Sequence, residues 1–497
     1  MPRALMFPSA EETPGSSPLS PGPSAAARGE GAARPAPAST NFVSPGPSHA
    51  ITVLVVAVLL AYANAFGAAW QFDDFATLLV QPATQSLAGW RDALPGIRPL
   101  LKLSYALTRE LGGGVVAVHA TNIAIHAVNA CLLWALWRRW LRLLAPSLQR
   151  PDLAALLGAL LFALHPAATE AVTYASGRSI SLAATCGLAA LLADEVARAQ
   201  PSRRWLAWAG PSLFALALAV RETAVVIAAV PLLRVWATGL PLRAELRRLG
   251  GYAGVLALAA VAALATPGYH VFFGVSLATR DLAAQAMGQL LAHGYLLTHT
   301  LVGLTNIDPD LRVPDAWSPA LSASAAALAI LIATMFALRR RRPWLAFAIG
   351  WYLLQLAPAN SVLPRLDLAN DRHLYLALAG PMLALACVLA GAAAQHRRVL
   401  AAAALAVCAV FGYMTWQRNA DYRSETALWQ ATVRDSPRKA RAWLNLGYAH
   451  RLDGDFARAA AAYRCALLLD PANAQAAIDL DLVAPGDVAP ATCPAPG

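Results

Sequence analysis

From residue 51 to residue 416 the chain is a succession of apolar stretches, each near the roughly 20 residues that a helix needs to cross a bilayer. About eleven such stretches are legible by that length rule. They lie at 51–70, 115–137, 153–173, 179–196, 205–220, 223–238, 249–267, 319–338, 343–358, 374–394 and 399–416. Within hydrocarbon every backbone N–H and C=O must find its partner inside the protein, and runs of this length do so as helices. The expected fold class is therefore all-α, a polytopic membrane helix bundle. Composition agrees: 13% of the residues are charged, against roughly 25% in a soluble domain.

The gaps between stretches set an orientation. Arg138, Arg139, Arg142 and Arg150 follow the second stretch, and Arg198, Arg203 and Arg204 the fourth. Arg243, Arg247 and Arg248 follow the sixth, Arg339 to Arg342 the eighth, and Arg397 and Arg398 the tenth. Every second gap carries an arginine cluster, as the positive-inside rule requires. The N-terminus is thus expected in the cytoplasm. The Asp73–Asp74 segment, the long 268–318 loop and the C-terminal tail are expected outside. The Ala-, Arg-, Leu- and Gly-rich composition suggests a bacterium, so that side is the periplasmic face of the inner membrane. The net charge of +11 belongs to these topological arginines. No basic patch interleaved with aromatics appears, so nucleic-acid binding is not expected. Six cysteines without a CxxC pair predict neither a disulfide framework nor a zinc site.

Four regions follow. Residues 1–48, rich in Pro, Ala, Ser and Gly, read as a disordered cytoplasmic tail. Residues 49–416 form the multi-span domain, 417–483 a soluble helical domain and 484–497 a second disordered tail. Within 440–473, Trp443, Leu446, Gly447, Gly454, Ala459, Tyr463, Ala466 and Pro471 fall at tetratricopeptide spacing, a helix–turn–helix unit. Residues 425–437 resemble the second helix of a degenerate repeat. One repeat is too small to stand alone, because stacking normally needs about three. It is expected to dock on the membrane domain or on a partner, with Trp443 and Tyr463 packed between its two helices.

Polar groups in so apolar a chain are the candidates for chemistry. Asp73 and Asp74 follow the first stretch and sit among Trp70, Phe72 and Phe75. They fit either a solvated acidic turn or a carboxylate base held near apolar surface. His119, Asn122, His126 and Asn129 recur at three- and four-residue steps and so share one helix face. They suit a wet cavity or hydrogen bonds between helices. No acidic ligand accompanies the histidines, so no metal is expected. His165, Glu170 and Arg178 mark the outer end of the third stretch, Arg221 and Glu222 that of the fifth, and Asp371, Arg372 and His373 open the tenth. Arg98, Lys102 and Arg109 follow the aspartate pair. Each alone is consistent with a snorkelling charge or a local ion pair. Together they bring a carboxylate base and several cations to one face. That combination suits transfer from a phosphate-linked donor, with the cations stabilising the phosphate that departs.

The segments WQFDDF (70–75), RPLLKLSYAL (98–107), HATNIAIHAVNACLL (119–133), LLFALHPAATEAVTYASGRS (160–179), LALAVRETAVV (216–226), LTNIDPDLRV (304–313) and NDRHLYLALAG (370–380), in this order, carry a resemblance. Over about residues 50–473 the chain resembles membrane glycosyltransferases of GT-C type with C-terminal tetratricopeptide repeats, the O-mannosyltransferase-like family and its bacterial relatives. The resemblance implies a polyprenyl-phosphate sugar donor, mannose by family analogy. It implies inverting transfer to a hydroxyl, by the same analogy Ser/Thr of a protein, with no further cofactor. Asp73 then matches the base, and Asp74 supports it or binds substrate. Arg98, Lys102, Arg178, Arg221 and Arg372 become candidates for the donor phosphate. His119, Asn122, His126, His165, Glu170, Glu222 and Asp371 become candidates for the substrate cavity. The chain departs from the family at His373, usually aromatic or aliphatic, at Arg221, usually Lys, and in a repeat array cut to about one and a half units. A membrane scaffold recruiting partners through the repeat, and a lipid or sugar transporter, are the competing readings. A scaffold has no use for the aspartate pair. A transporter would carry polar residues through the full depth of the bilayer.

Overall fold

The computed structural model describes residues 46–203, 205–361, 363–392, 396–486 and 493. The disordered tails expected at 1–48 and 484–497 lie outside these residues except at their inner edges. Among the described residues every regular element is a helix and none is a strand.

Five helices are long and apolar enough to cross a bilayer, and up to seven if two bent pairs each count as one span. The bends have local causes. Pro166 cannot continue the Pro151–Leu164 helix, so the chain turns by 60° before resuming to Val172. The second pair, Asp371–Ala377 and Ala379–Ala392, bends by 52°. Pro47–Ala61, Leu206–Val220 and Pro343–Leu356 are apolar but shorter. The first stops well before residue 70. A tight turn follows in which Asn64 donates to the Trp416 carbonyl at 2.8 Å and accepts from Asn419 at 3.1 Å. The stretch at 223–238 divides into a 3-10 segment, Glu222–Ala229, and an α-helix, Val230–Thr238.

Packing sorts the long helices. Val115–Leu144 and Ala175–Ala199 are 44% buried over their apolar windows, whereas Leu242–Ala265, Pro319–Leu338 and Arg398–Asp421 are only 6–11% buried. The first two form the centre, flanked by Pro47–Ala61 and Pro151–Leu164. The outer three expose Leu258, Val261, Leu264, Ile330, Phe336 and Leu405. In water each such side chain would lose about 1.5–3 kcal/mol of burial, so a hydrocarbon surround suits this surface.

The long loop expected at 268–318 is largely helical. Pro267–Ala278 and Leu282–Val302 occupy most of it. Hydropathy hides the second helix because Gln285, Gln289 and His299 interrupt its apolar run. Those three side chains are buried against the protein. Gln285 and Gln289 donate to carbonyls of Ser361 and Leu368 at 2.9 and 3.2 Å, and His299 pairs with Asp371 at 2.8 Å.

Four helices close the chain: Glu425–Asp435, Ala440–Leu452, Phe456–Leu469 and Ala474–Val483. Trp443 is buried with Trp429 and Val433, and its indole N–H donates to the Pro437 carbonyl at 2.8 Å. Tyr463 lies under Gly447, where a Cβ would meet its ring at 2.6 Å, and packs toward Leu480. Contrary to the sequence expectation, Cys465 is paired with Cys493 in a disulfide. The two are 28 positions apart in sequence.

Candidate active site

The segment 68–80 follows the first helix and the short 3-10 turn Ala63–Gly67, and within it the two aspartates part company. Phe72 adopts φ of 32°, a left-handed conformation that costs a bulky residue on the order of 1–3 kcal/mol. This turn sends Asp74 inward and Asp73 outward. Asp74 is fully buried; its carboxylate accepts the N–H of Gln71 at 3.0 Å and of Ser176 at 2.8 Å. Burial pushes its carboxyl up to about 7, against the opposing pull of those two hydrogen bonds. Asp73 keeps its side chain 44% exposed, with Arg372 Nη1 3.9 Å away and its own N–H on the Tyr174 hydroxyl at 2.9 Å.

Asp73 faces a cavity of about 780 Å³. Five cations, Arg98, Lys102, Arg221, Arg365 and Arg372, line it beside only two carboxylates, Asp73 and Asp367. The cations arrive from separate parts of the sequence. Arg98 sits in the left-handed region (φ 53°) just ahead of the Pro99–Glu110 helix, and Lys102 lies one turn on. Arg221 follows the end of Leu206–Val220. Arg372 begins the bent pair, and Arg365 lies in the loop before it. Val271, Phe272 and Val275 supply an apolar wall.

Some of these charges are answered and others are not. Arg98 forms a forked pair with Glu222 at 2.9–3.0 Å, and the Tyr269 hydroxyl donates to the same carboxylate at 3.0 Å. Glu170 accepts the Arg372 backbone N–H at 2.8 Å and stands 3.6 Å from its Nε. Arg221 donates to the Ser179 hydroxyl at 2.7 Å, and among the described residues neither it nor Arg365 has an ion pair. Burial, reinforced by Arg98 and Arg372, pulls Arg365 down to about 10. Burial and Arg98 likewise lower Lys102. An anion in the cavity would relieve all of them.

Of the sequence candidates, Asp73, Arg98, Lys102, Arg221 and Arg372 therefore meet in one space. Glu222 and Glu170 stand behind, holding Arg98 and Arg372. The rest lie elsewhere. Arg178 is buried with its guanidinium 4.2 Å from the Tyr105 ring, donating to Asn122 at 2.7 Å and to the carbonyls of Ser104 and Val118 at 3.0 and 3.1 Å. It fastens helices and does not line the cavity. Asn122 also donates to the Val172 carbonyl at 3.2 Å. His126 contacts the Tyr375 hydroxyl at 2.8 Å and the Ala163 carbonyl at 3.0 Å, and Asn129 donates to Ser181 and Tyr375. His119 meets the Ala68 carbonyl at 3.1 Å and His165 the Thr300 carbonyl at 3.2 Å. Asp371 serves His299 and accepts the Asn306 N–H at 2.6 Å. The face of polar residues on the second helix thus ties helices together. His373 is buried with both ring nitrogens unpartnered, in a small pocket of about 60 Å³ that shares Arg221 and Arg372.

Arg365 was absent from the sequence reading. Its signal was available: it is an arginine in a gap that the alternating clusters assign to the outside, like Arg98, Arg178, Arg221 and Arg372. Among the described residues no group of three or more His, Cys, Asp or Glu side chains could hold a metal ion. Comparison with known proteins gives no match to a family model, a curated protein or a solved structure.

Proposed function

We propose that this chain is an integral membrane glycosyltransferase of GT-C type, moving a sugar from a polyprenyl-phosphate donor to an acceptor hydroxyl on the periplasmic face. The observation that carries the reading is the convergence of one outward carboxylate, Asp73, with five cations in a single cavity. In the reaction, the acceptor oxygen attacks the anomeric carbon and its proton passes to Asp73. The bond from that carbon to the phosphate oxygen breaks, and the polyprenyl phosphate leaves with the electron pair. Arg221, Arg365, Arg372 and Lys102 stabilise the charge that grows on the phosphate, an effect strongest where water is thin. Inversion follows from a single displacement. The apolar wall of Val271, Phe272 and Val275 suits the lipid portion of the donor. The full reading includes about eleven crossings by the length rule, an inner-membrane location, a tetratricopeptide-like C-terminal domain, and mannose and protein Ser/Thr as the sugar and acceptor suggested by the resemblance.

A scaffold would not require five cations around a cavity that, among the described residues, only two carboxylates line, and this favours the enzyme. The deciding experiment offers purified protein a panel of polyprenyl-phosphate sugars with peptide and simple alcohol acceptors. Transfer with release of polyprenyl phosphate supports the reading. No transfer and no donor binding across the panel would end it.

A further inference from the structure

The turn that aims Asp73 is held from the far end of the chain. The Phe72 N–H donates to the Glu425 carboxylate at 3.0 Å, across 353 positions of sequence. The Phe72 ring meets Trp429 edge-on, with centroids 5.3 Å apart. Just before the turn, the Ala69 N–H and the Gln71 side chain both donate to the Tyr422 carbonyl, at 3.0 and 2.8 Å. Ser424 caps the Glu425–Asp435 helix, so Glu425 stands in its first turn with its position fixed. Further along, Arg441 bonds Asp308 at 2.8 Å through Nε and Asp367 at 2.7 Å, and Lys439 donates to the Pro309 carbonyl at 2.8 Å. Asp367 is itself a lining residue of the cavity.

We propose that the C-terminal helices are the mounting of Asp73, in which Glu425 and Trp429 hold the left-handed turn at Phe72 and so aim the carboxylate into the cavity. A bulky residue does not rest at positive φ unless its surroundings fix it. Glu425 supplies the acceptor for the turn's exposed N–H, and Trp429 supplies the surface for its ring. Glu425 and Trp429 are positioning residues and touch no substrate. The proposal rests on the reading of Asp73 as the base, and its test has one measurement that does not.

That measurement is hydrogen exchange of peptides covering residues 69–76 in the full-length protein. Glu425→Ala and Trp429→Ala are expected to speed exchange there by roughly tenfold or more, as local opening does. Glu425→Gln, whose amide oxygen still accepts, and Trp429→Phe stay within about threefold of the parent. Transfer assays then separate position from binding. The alanine variants should lose roughly 10²-fold in kcat, the cost of moving a catalytic group by about an ångström, with donor KM changed by less than about threefold. If Glu425→Ala does not fold, Glu425→Asp, which keeps the charge and draws the carboxylate back, should show the same signs at smaller size. Unchanged exchange in folded alanine variants, or a raised KM with unaltered kcat, overturns the mounting. A protected turn in a parent protein that transfers no sugar removes the glycosyltransferase reading and leaves the mounting standing.

Discussion

The helix Arg178–Ala199 ends in two different electrostatic settings. At its start, Ser179 takes the Arg221 guanidinium at the edge of the cavity, where Arg221 and Arg365 lack any ion pair among the described residues. At its other end, 22 residues on and so some 30 Å away, Arg198 and Arg234 lie among acids. Arg198 reaches Glu245 at 2.7 Å and Glu195 at 3.3 Å. Arg234 stands 3.5 Å from Glu245 and 3.7 Å from Glu195, and Tyr252 donates to Asp194 at 2.7 Å. In one region every cation is answered by a carboxylate, and in the other some are not. An unmatched buried charge is costly, and a fold keeps it where something from outside brings the counter-charge. The balanced cluster is what a structural clasp looks like in this molecule. The cavity does not fit that description.

Mutations can break or sharpen this contrast, and the largest effect belongs to Asp73. Asp73→Asn keeps the shape and removes the base, and turnover should fall by roughly 10² to 10⁴ while donor binding persists. Undiminished transfer by this variant would exclude Asp73 as base. Next comes the clasp. Glu245→Ala removes the carboxylate that both guanidinium groups reach and leaves them to share Glu195, and unfolding free energy should drop by about 3–5 kcal/mol with donor affinity in the folded fraction unaltered. If stability survives and donor affinity collapses, the two regions have been assigned the wrong way round. A smaller effect is expected at Arg365. Arg365→Gln relieves repulsion, so thermal stability should hold or rise. Donor binding should weaken by about 1.5–3 kcal/mol, the worth of a hydrogen bond to a charged group. A loss of stability there would make Arg365 a structural residue.

The smallest expected effect is a pH dependence at Asp74. Its carboxyl is raised from 3.8 to about 7 by burial, so the folded state holds the proton more tightly than the unfolded chain. The stability this group contributes is complete below its ordinary value and is lost as pH climbs through about 7. Melting curves from pH 4 to 8 should therefore slope downward in the parent and be flatter in Asp74→Asn. Equal slopes would show that Asp74 titrates in the ordinary carboxylate range.

What sequence could and could not show follows from where each interaction partner sits. Asp73, Arg98, Lys102, Arg221 and Arg372 stood out because charged groups are few in so apolar a chain and these lie at the ends of its apolar stretches. Arg178 met the same criterion, yet its partners are an asparagine and carbonyls from two other helices, which no local pattern reveals. Arg365 lay in a short gap beside Asp367 and drew no attention. The polar face of Val115–Leu144 was legible as a face. Whether it lines a cavity or binds neighbours depends on Tyr375, some 250 positions away. The five to seven long apolar helices follow from hydropathy alone. Leu282–Val302 escaped because its glutamines and histidine are satisfied by a distant loop. The tail was expected to dock on the membrane domain or on a partner, but nothing in residues 425–437 announces that Glu425 and Trp429 meet Phe72.

The polar face of Leu282–Val302 has a consequence for how the chain is made. Gln289 and His299 find their partners in Leu368 and Asp371, which follow them by 79 and 72 positions. At ribosomal speeds of about 5–20 residues per second, those partners emerge roughly 4–15 seconds later. For that interval the helix has an unsatisfied stripe and cannot settle among lipid tails. It must wait at the membrane surface, or beside the insertion machinery, until the later segment is born. Pro364, Arg365, Asp367, Asn370 and Arg372, which complete the lining of the cavity, emerge in the same late segment, so the cavity closes only after most of the chain has left the ribosome.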